Sequence, residues 1–285
     1  RMQIVFFFFA VFSALLIWRF VYLFLSASRI FVKRVVFICN SKSLDQLVAE
    51  LKEVNPYYEV RGYVATTEDP ASSRMGESIY RFVLREIPGA WIRGWQVEEE
   101  RLARGGKGVW SLDNDILQSY AISAALQLGL IIAFGWVMLP FLAVHNFWAW
   151  YQLTSANYIE HYGLKRDRLE NGRYERCQPH HSWNANYIFS NIVLFHLERH
   201  SDHHANPTRR YQSLRNFDNL PELPNGYYGM YLLAYIPWLW FKVMDKRVLS
   251  LPHIQGDLTK VNIDPRHRNA IYQRYAKVDG QLQVA

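Results

Sequence analysis

The sequence predicts a mainly α-helical integral membrane protein with a cytosolic, histidine-rich cap and a small β-α-β-like segment near the N-terminus. Three observations predict this class. Apolar runs at 2–25 and 116–160 have the lengths of a single bilayer-spanning helix and of a pair of such helices. Lys and Arg cluster beside those runs, which predicts cytoplasmic flanks. Histidines concentrate just after the last run, with four of them in residues 196–204.

Composition narrows the function before any motif is considered. The chain has 285 residues, is 50% hydrophobic and carries a formal net charge of +7. Basic charge can indicate nucleic acid or an anionic membrane surface. Because the Lys and Arg lie beside apolar runs, the lipid bilayer is the expected partner and no nucleic acid is expected. The two cysteines, Cys39 and Cys177, form no CxxC pattern, so a metal would depend on histidine.

Residues 1–28 are predicted to form a transmembrane anchor. Their apolar run has the length of a bilayer crossing, and no cleavage-site pattern of a signal peptide follows it. Basic residues come directly afterwards, at Arg29, Lys33 and Arg34. The anchor is therefore expected to leave the membrane on the cytoplasmic side.

Residues 29–64 are predicted to form a β-α-β-like segment. Apolar runs at 34–39 and 58–64 predict two strands, and the pattern of residues 44–54 predicts a helix between them. The intervening loop, residues 40–43, lacks the glycines of a dinucleotide-binding site, so none is expected. This N-terminal part resembles the N-terminal region of bacterial polyprenyl-phosphate sugar transferases, without that family's catalytic domain.

Residues 65–285 are predicted to be organised around a membrane hairpin at about 116–160. A polar stretch precedes the hairpin and is expected to be a cytosolic connection with one surface helix, its glutamate run solvated. The spans 116–134 and 136–159 contain no Asp, Glu, Lys or Arg. Basic residues flank the pair on both sides, so both ends are expected in the cytoplasm.

Two later stretches are expected at the membrane interface. Residues 183–197 are aromatic and apolar and are predicted to form an amphipathic helix that leads to the histidine motif. Residues 227–244 are apolar but contain Pro237 and Lys242, so a helix lying on the membrane is favoured over a full crossing.

The motif at 197–205 predicts a metal site. On a helix, His200 lies three residues from His203 and four from His204, so the three imidazoles share one side. His161 ends the second apolar span and is expected at the same level. The alternative is a polar helix end with solvated histidines, and the density of the cluster argues against it. Four neutral nitrogen ligands without a thiolate suit iron, copper or zinc.

Other groups near the motif are weaker candidates. Glu160 and Asp202 flank the predicted ligands and could orient imidazole N–H groups, with ordinary exposed acids as the open alternative. His145 lies inside an apolar span, and His196 lies four residues before His200. Both are candidate substitute ligands. A packing role is the alternative for His145, and the spacing from His200 is the only argument for His196.

The position beside an apolar span favours a lipophilic substrate that reaches the metal from the bilayer. An unactivated C–H bond offers no handle for acid/base catalysis, so iron-based oxygen activation is the chemistry that such a substrate needs. A hydrolytic zinc site is the alternative. It would need a general base and a polar substrate, and the sequence indicates neither.

Two motifs carry a specific family resemblance. Residues 157–164 read Asn-Tyr-Ile-Glu-His-Tyr-Gly-Leu, and residues 197–205 read Leu-Glu-Arg-His-Ser-Asp-His-His-Ala. Together they resemble signature motifs of the membrane-bound alkane 1-monooxygenases. Matching text in the flanks, for example at 68–74 and 207–211, extends the resemblance from about residue 64 to the C-terminus.

The resemblance implies a non-haem di-iron enzyme of the bacterial inner membrane, multi-pass, with its histidine site facing the cytoplasm. Such enzymes hydroxylate the terminal carbon of alkanes with dioxygen, using electrons from rubredoxin and its reductase. The implied iron ligands are His161, His200, His203 and His204. His181 matches a family position outside the ligand set, which implies a supporting or structural role. Basic residues near the motifs are a hypothetical docking face for acidic rubredoxin, with ordinary positive-inside charge as the alternative; they are Lys165, Arg166, Arg199, Arg209 and Arg210.

The sequence departs from that family in its first part. The family's ligands also come from two upstream histidine boxes, whereas no histidine precedes His145 in this chain. Four ligands are expected to hold one iron, or two incompletely. The expected function is therefore of the alkane 1-monooxygenase type with an incomplete site. The alternative is a catalytically inactive, membrane-anchored fragment or fusion protein.

Overall fold

The computed structural model describes residues 72–275 apart from 168, 170–174, 176 and 207, together with residue 13 and the backbone of strands at 33–38, 58–64, 277–278 and 281–282. The chain divides into two compact units, Arg1–Ala65 and Thr66–Ala285. Apart from residue 13, the predicted anchor lies outside the described residues, as does the predicted helix at 44–54.

In the first unit, strand β1 (Lys33–Ile38) pairs in parallel with strand β2 (Tyr58–Val64). Val35 lies opposite Val60, and the register shifts after Val35. A parallel pair needs a crossover of about a dozen residues or more, which the intervening chain is long enough to supply. Both strands lie where the apolar runs predict them. The complete β-α-β segment stays a prediction, because its helix is not among the described residues.

The second unit is mainly helical, as the sequence predicts. Its helices in chain order are α1 (Ile79–Arg104), α2 (Asp115–Phe134), α3 (Met138–His161), α4 (Ile188–Val193), α5 (His200–Ala205), α6 (Tyr227–Ala234), α7 (Pro237–Ser250) and α8 (Arg268–Arg274). Near the C-terminus, the short strands β3 (Lys277–Val278) and β4 (Gln281–Leu282) pair antiparallel.

Helix α2 has the properties of a membrane span. Within the part of the chain that the structure describes, it is the one helix long and apolar enough to cross a membrane. None of its residues is buried. Asn114 caps its N-terminus, because the side-chain oxygen accepts hydrogen bonds from the Ile116 and Leu117 amides. Gly135 follows its last residue with a φ of +79°, a conformation that favours glycine.

Helix α3 contains most of the second predicted span, residues 136–159. It is long enough to cross a membrane but is less apolar than α2. Polar residues such as His145 and Asn146 dilute its apolar character. Most of α3 is exposed up to residue 153, and residues 154–160 are largely buried. The buried end leads directly to His161.

Three further local expectations are corrected by the structure. The predicted surface helix is α1, which is much longer than its glutamate run. Glu98 in that run is buried rather than solvated. Its carboxylate pairs with Arg101 and accepts a hydrogen bond from the amide of Asp115, the first residue of α2. Only α4 is helical within residues 183–197. Residues 227–244 form two helices, because Pro237 begins α7.

The hydrophobic core of the second unit lies around the buried end of α3. Tyr158 and Tyr162 on this end are fully buried, and each ring centroid lies 5.2 Å from that of Trp240 on α7. Trp183 is also buried, and its indole N–H donates to the Tyr162 carbonyl. Large aromatic side chains dominate the packing energy of a core. This packing therefore fixes the end of α3 and the position of His161.

A buried hydrogen-bond network ties α3 to α7 and to the residue after α8. The Asp245 carboxylate accepts hydrogen bonds from the Tyr162 hydroxyl at 2.8 Å and from the Tyr275 hydroxyl at 3.1 Å. Burial raises the pKa of Asp245 to about 6, although the two hydroxyl donors oppose the rise. The ionisation of this core carboxyl is therefore linked to folding.

Asp245→Asn is expected to remove one pH-dependent component of stability. The pKa of Asp245 rises to about 6 on folding, from the ordinary value of about 3.9. Because the folded state binds the proton more tightly, the contribution is largest below about pH 4 and is lost as pH rises through about 6. The full loss is about 3 kcal/mol. Unfolding in detergent from pH 4 to pH 7 measures it.

Glu100→Gln is the control for this measurement, because Glu100 is exposed. The control protein should lose stability over that pH interval as the unchanged protein does. An Asp245→Asn protein with the same pH slope as the unchanged chain would contradict the role assigned to Asp245.

Candidate metal centre

Three imidazoles from two helices converge beside the core, and we call them the histidine cluster: His161 from the end of α3, and His200 and His204 from α5. The Nε2 atom of His204 lies 2.8 Å from Nε2 of His200 and 3.3 Å from Nε2 of His161. Nitrogen ligands about 2.1 Å from one metal ion lie roughly 3.0–3.4 Å apart. The distance to His161 lies within that range and the distance to His200 lies just below it, so the three nitrogens are close to the arrangement that a single ion requires.

The tautomer of His161 also suits metal binding. Its Nδ1 atom lies 3.1 Å from the Asn157 carbonyl oxygen, one turn earlier in α3. A carbonyl only accepts, so Nδ1 carries the hydrogen and Nε2 keeps its lone pair for the cluster. Backbone hydrogen bonds of this kind orient metal-bound histidines in many proteins.

Burial favours the neutral form of the two cluster histidines on α5. Burial lowers the pKa of His200 well below its ordinary value, and the neighbouring imidazoles lower it further. Burial of the ring also lowers the pKa of His204, and the neighbouring His161, His203 and Arg166 lower it further, although part of the side chain is exposed. Metal binding requires neutral imidazoles, so neither residue has to lose a proton at neutral pH before a metal binds.

Glu160 faces the cluster from its buried side. The side chain is 4% exposed, and its Oε2 atom lies 3.4 Å from Nε2 of His200. The alternative of an ordinary exposed acid is therefore wrong for Glu160.

Asp202 is also buried, but its contacts lead away from the imidazoles. Its oxygens accept hydrogen bonds from the Arg215 amide and guanidinium and from the Asn206 side chain, and Arg209 lies 3.4 Å away. Burial would raise the pKa of Asp202, but these donors hold it below its ordinary value. Asp202 thus ties α5 to the segment around Arg215.

The structure places two other predicted residues beside or outside the cluster. The ring of His203 lies 5.8 Å from that of His200 and 5.6 Å from that of His204, yet its nitrogens are not in the converging group. His181 is held elsewhere: its Nε2 lies 3.2 Å from Glu175, and its Nδ1 accepts a hydrogen bond from the Gln178 amide. A metal-binding role for His203 and a supporting role for His181 stay predictions.

The two substitute candidates also lie apart. His145 is exposed on α3, where its ring centroid lies 6.0 Å from that of Phe141. His196 has a φ of +60° and lies 6.4 Å from the Tyr211 ring. Among the described residues, neither belongs to the group whose nitrogens converge.

Glu198 is a buried residue that the sequence reasoning missed. Its side chain is fully buried, and its two oxygens accept hydrogen bonds from the backbone amides of Tyr187 at 2.7 Å and Tyr227 at 2.9 Å. It therefore joins the start of α4 and the start of α6 to the chain that enters α5. The sequence signal that could have indicated its role is a single acidic residue that follows an apolar stretch and precedes His200 by two residues.

Three of the five basic residues in the predicted docking face make contacts within the protein. Arg199 donates a hydrogen bond to the Leu214 carbonyl, Arg209 lies beside Asp202, and Lys165 donates to a backbone carbonyl. These contacts hold loops next to the histidine cluster. Binding of a partner through this face stays a prediction.

Gly163→Ala is expected to destabilise the fold by about 2–5 kcal/mol. Gly163 has a φ of +74°, and an added Cβ would lie 2.9 Å from a methyl group of Val248. Left-handed backbone costs a non-glycine residue about 1–2 kcal/mol, and overpacking typically costs about 1–3 kcal/mol more. Chemical unfolding of the purified variant in detergent measures the loss.

Gly106→Ala separates the two contributions. Its φ is +68°, but an added Cβ would meet nothing within 4 Å, so only the backbone strain applies. Val248→Ala in the Gly163→Ala background should recover part of the overpacking cost. Equal losses for Gly163→Ala and Gly106→Ala would show that the Val248 contact contributes nothing.

Comparison with known proteins extends these observations. A family model described as fatty acid desaturase matches residues 61–240. The chain is 57% identical over 213 residues to alkane 1-monooxygenase 1 of Alcanivorax borkumensis. The aligned residues make up 74% of this chain and 52% of that protein. The chain is also 57% identical over 212 residues to the alkane 1-monooxygenase of Ectopseudomonas oleovorans, with the same two shares, 74% and 52%.

A more distant relative is the xylene/toluene monooxygenase hydroxylase component of Pseudomonas putida. It is 30% identical over 188 residues, which cover 65% of this chain and 48% of that protein. The chain thus spans about half the length of the curated relatives that it matches.

Proposed function

Because the chain belongs to the fatty acid desaturase family, whose model matches residues 61–240, we propose that it carries part of the catalytic centre of an alkane 1-monooxygenase. The proposed reaction is terminal hydroxylation of an alkane with dioxygen. The observation that carries the proposal is the convergence of His161, His200 and His204. Identity of 57% to alkane 1-monooxygenases supports the same reaction type.

The donor set fits iron. The Nε2 atoms of His161 and His200 lie 3.3 and 2.8 Å from Nε2 of His204, close to the spacing of ligands on one ion, and imidazole ligands suit iron. His203 is proposed as an additional ligand from the same helix. When bound, iron supplies dioxygen activation, in which one oxygen atom enters the terminal C–H bond and the other leaves as water with two electrons and two protons.

Residues around the cluster hold its ligands in place. The Asn157 carbonyl orients His161. Glu160 lies 3.4 Å from Nε2 of His200, the nitrogen that faces the other imidazoles, so its carboxyl would stand beside the ion. Asp202 and Glu198 anchor α5 and the segment that enters it. We propose that the enzyme needs these contacts because an imidazole displaced by about 0.5 Å would no longer meet a common metal ion.

Apolar surface supports a membrane location and an alkane substrate. None of the residues of α2 is buried. On α4, Ile188, Phe189 and Ile192 are 79%, 68% and 70% exposed. We propose a multi-pass inner-membrane protein whose histidine cluster faces the cytoplasm, with an alkane approaching from the bilayer. Rubredoxin, reduced by its reductase, is the proposed electron donor.

We also propose that the site is incomplete within these residues. The four histidines offered by α3 and α5 suffice for one iron, whereas activation of dioxygen in the di-iron manner needs ligands for two. No histidine precedes His145 in the chain. The second candidate function is therefore a catalytically inactive, membrane-anchored fragment or fusion protein that retains metal binding.

Turnover by the purified protein in lipid nanodiscs distinguishes the two candidates. The assay supplies octane, dioxygen, reduced rubredoxin and its reductase, and it measures 1-octanol together with iron content. The monooxygenase predicts 1-octanol above the background of a His161→Ala protein. Bound iron without 1-octanol would favour the inactive alternative. A protein that retains no iron would contradict both.

A further inference from the structure

An exposed apolar stripe runs along α1, and the proposed function does not use it. Tyr80, Leu84, Ile87, Trp91 and Trp95 recur every three or four residues, so they share one face of the helix. Tyr80 is 50% exposed, Leu84 77% and Trp91 47%, whereas Ile87 and Trp95 are half-buried. Contiguous exposed apolar surface marks interaction sites in proteins.

The other face of α1 shows how the stripe is oriented. Near the start of the helix, Ile79 and Phe82 are fully buried, and the Phe82 ring lies 5.5 Å from that of Tyr158 at the buried end of α3. Further along, Gln96 and Glu100 are exposed polar residues. The helix therefore packs on the core with one side and leaves about half or more of Tyr80, Leu84 and Trp91 exposed on its apolar side.

The stripe is continuous with the apolar helices α2 and α3. The indole N–H of Trp91 donates a hydrogen bond to the Tyr120 hydroxyl, near the start of α2. The Tyr80 hydroxyl donates to the Tyr235 carbonyl, and the Tyr235 ring stacks on Tyr151 of α3 at 5.3 Å. The stripe thus meets both helices at levels marked by aromatic rings with polar tips.

Tryptophans extend this band beyond the stripe. The rings of Trp91 and Trp95 stack at 5.6 Å, and Trp95 lies 5.5 Å from Trp110 in the loop that leads to α2. Trp110 is 79% exposed and Leu112 is 94% exposed. Trp and Tyr concentrate where a protein crosses the boundary between hydrocarbon and headgroups.

We propose that α1 lies in the membrane interface, with its apolar stripe against the lipid bilayer. An amphipathic helix of this kind is held by its buried apolar area, about 5–10 Å into the headgroup and acyl boundary. Because Phe82 links α1 to Tyr158, the helix sets the height of the α3 end, and of His161, above the bilayer. The inference rests on the membrane location of α2 that belongs to the proposed function.

Spin labels on single cysteines test the proposal in the full chain. Cys39 and Cys177 are first replaced by serine. Labels are then placed at Leu84→Cys on the stripe, at Gln96→Cys on the polar side, and at Ile122→Cys on α2, which is 71% exposed. In phosphatidylcholine nanodiscs, collision with oxygen reports the bilayer, and collision with a water-soluble nickel chelate reports water.

The expected result is several-fold greater oxygen-to-nickel accessibility at Leu84 and Ile122 than at Gln96. Nickel-dominated collisions at Leu84, with oxygen-dominated collisions at Ile122, would overturn the interfacial helix and leave the membrane location of α2 intact. A label at Leu84 shielded from both reagents would also overturn it, because protein would then cover the stripe. Nickel-dominated collisions at Ile122 would overturn the membrane location itself.

Discussion

His200→Ala is expected to lower the affinity of the protein for iron by more than about 100-fold. His200 contributes the buried member of the histidine cluster, with its Nε2 atom 2.8 Å from that of His204. Loss of an outer-shell partner alone typically costs about 10–100-fold in metal affinity, so loss of a ligand should cost more. Iron content after dialysis against a graded series of chelators measures the change.

His145→Ala is the matched control, because His145 is exposed on α3 and lies outside the cluster. It should retain the iron of the unchanged protein. His203→Ala tests the fourth proposed ligand, and it should also reduce iron retention. Wild-type iron content in the His200→Ala protein, with an unchanged melting temperature, would rule out the histidine cluster as the metal centre.

Glu198→Ala is expected to destabilise the protein by about 3–5 kcal/mol. The two carboxylate oxygens accept hydrogen bonds from the Tyr187 and Tyr227 amides in a fully buried position. Hydrogen bonds to charged groups contribute about 1.5–3 kcal/mol each, and their loss leaves buried donors unpaired. Chemical unfolding in detergent measures the loss, and iron retention should fall with it because Glu198 positions the chain that enters α5.

Glu198→Gln is expected to be almost as damaging, although it preserves the shape of the side chain. Glutamine has one accepting oxygen, so its amide group would turn a second donor toward one of the two backbone amides. Glu99→Gln makes the same chemical change on an exposed part of α1 and should alter stability little. A Glu198→Gln protein as stable as the unchanged chain would mean that one of the two hydrogen bonds is dispensable.

The local part of the metal centre was predictable from the sequence. His200 and His204 are four residues apart in α5, and the helix alone brings their Nε2 atoms to 2.8 Å. The mainly helical class and the apolar character of α2 also followed from composition and spacing. Periodicity predicts such features because it reflects the geometry of one helix and needs no knowledge of its neighbours.

The expectations that failed concerned burial and turns. Glu98 reads as part of a solvated charge run, but tertiary contacts bury it against Arg101 and the start of α2. The stretch at 183–197 reads as one helix, but Phe195 and His196 adopt positive φ values and end the helical path. Neither property is encoded in the pattern of apolar and polar residues alone.

The sequence by itself determined which residues can bind a metal, whereas the tertiary structure decided which of them meet. His161 lies 43 residues before His204, and their Nε2 atoms come within 3.3 Å. That approach depends on the aromatic packing of Tyr162 against Trp240 and on the hydrogen bonds of Glu198. Helical spacing acts within a single element, but the distance between two elements is set by the side chains that pack between them.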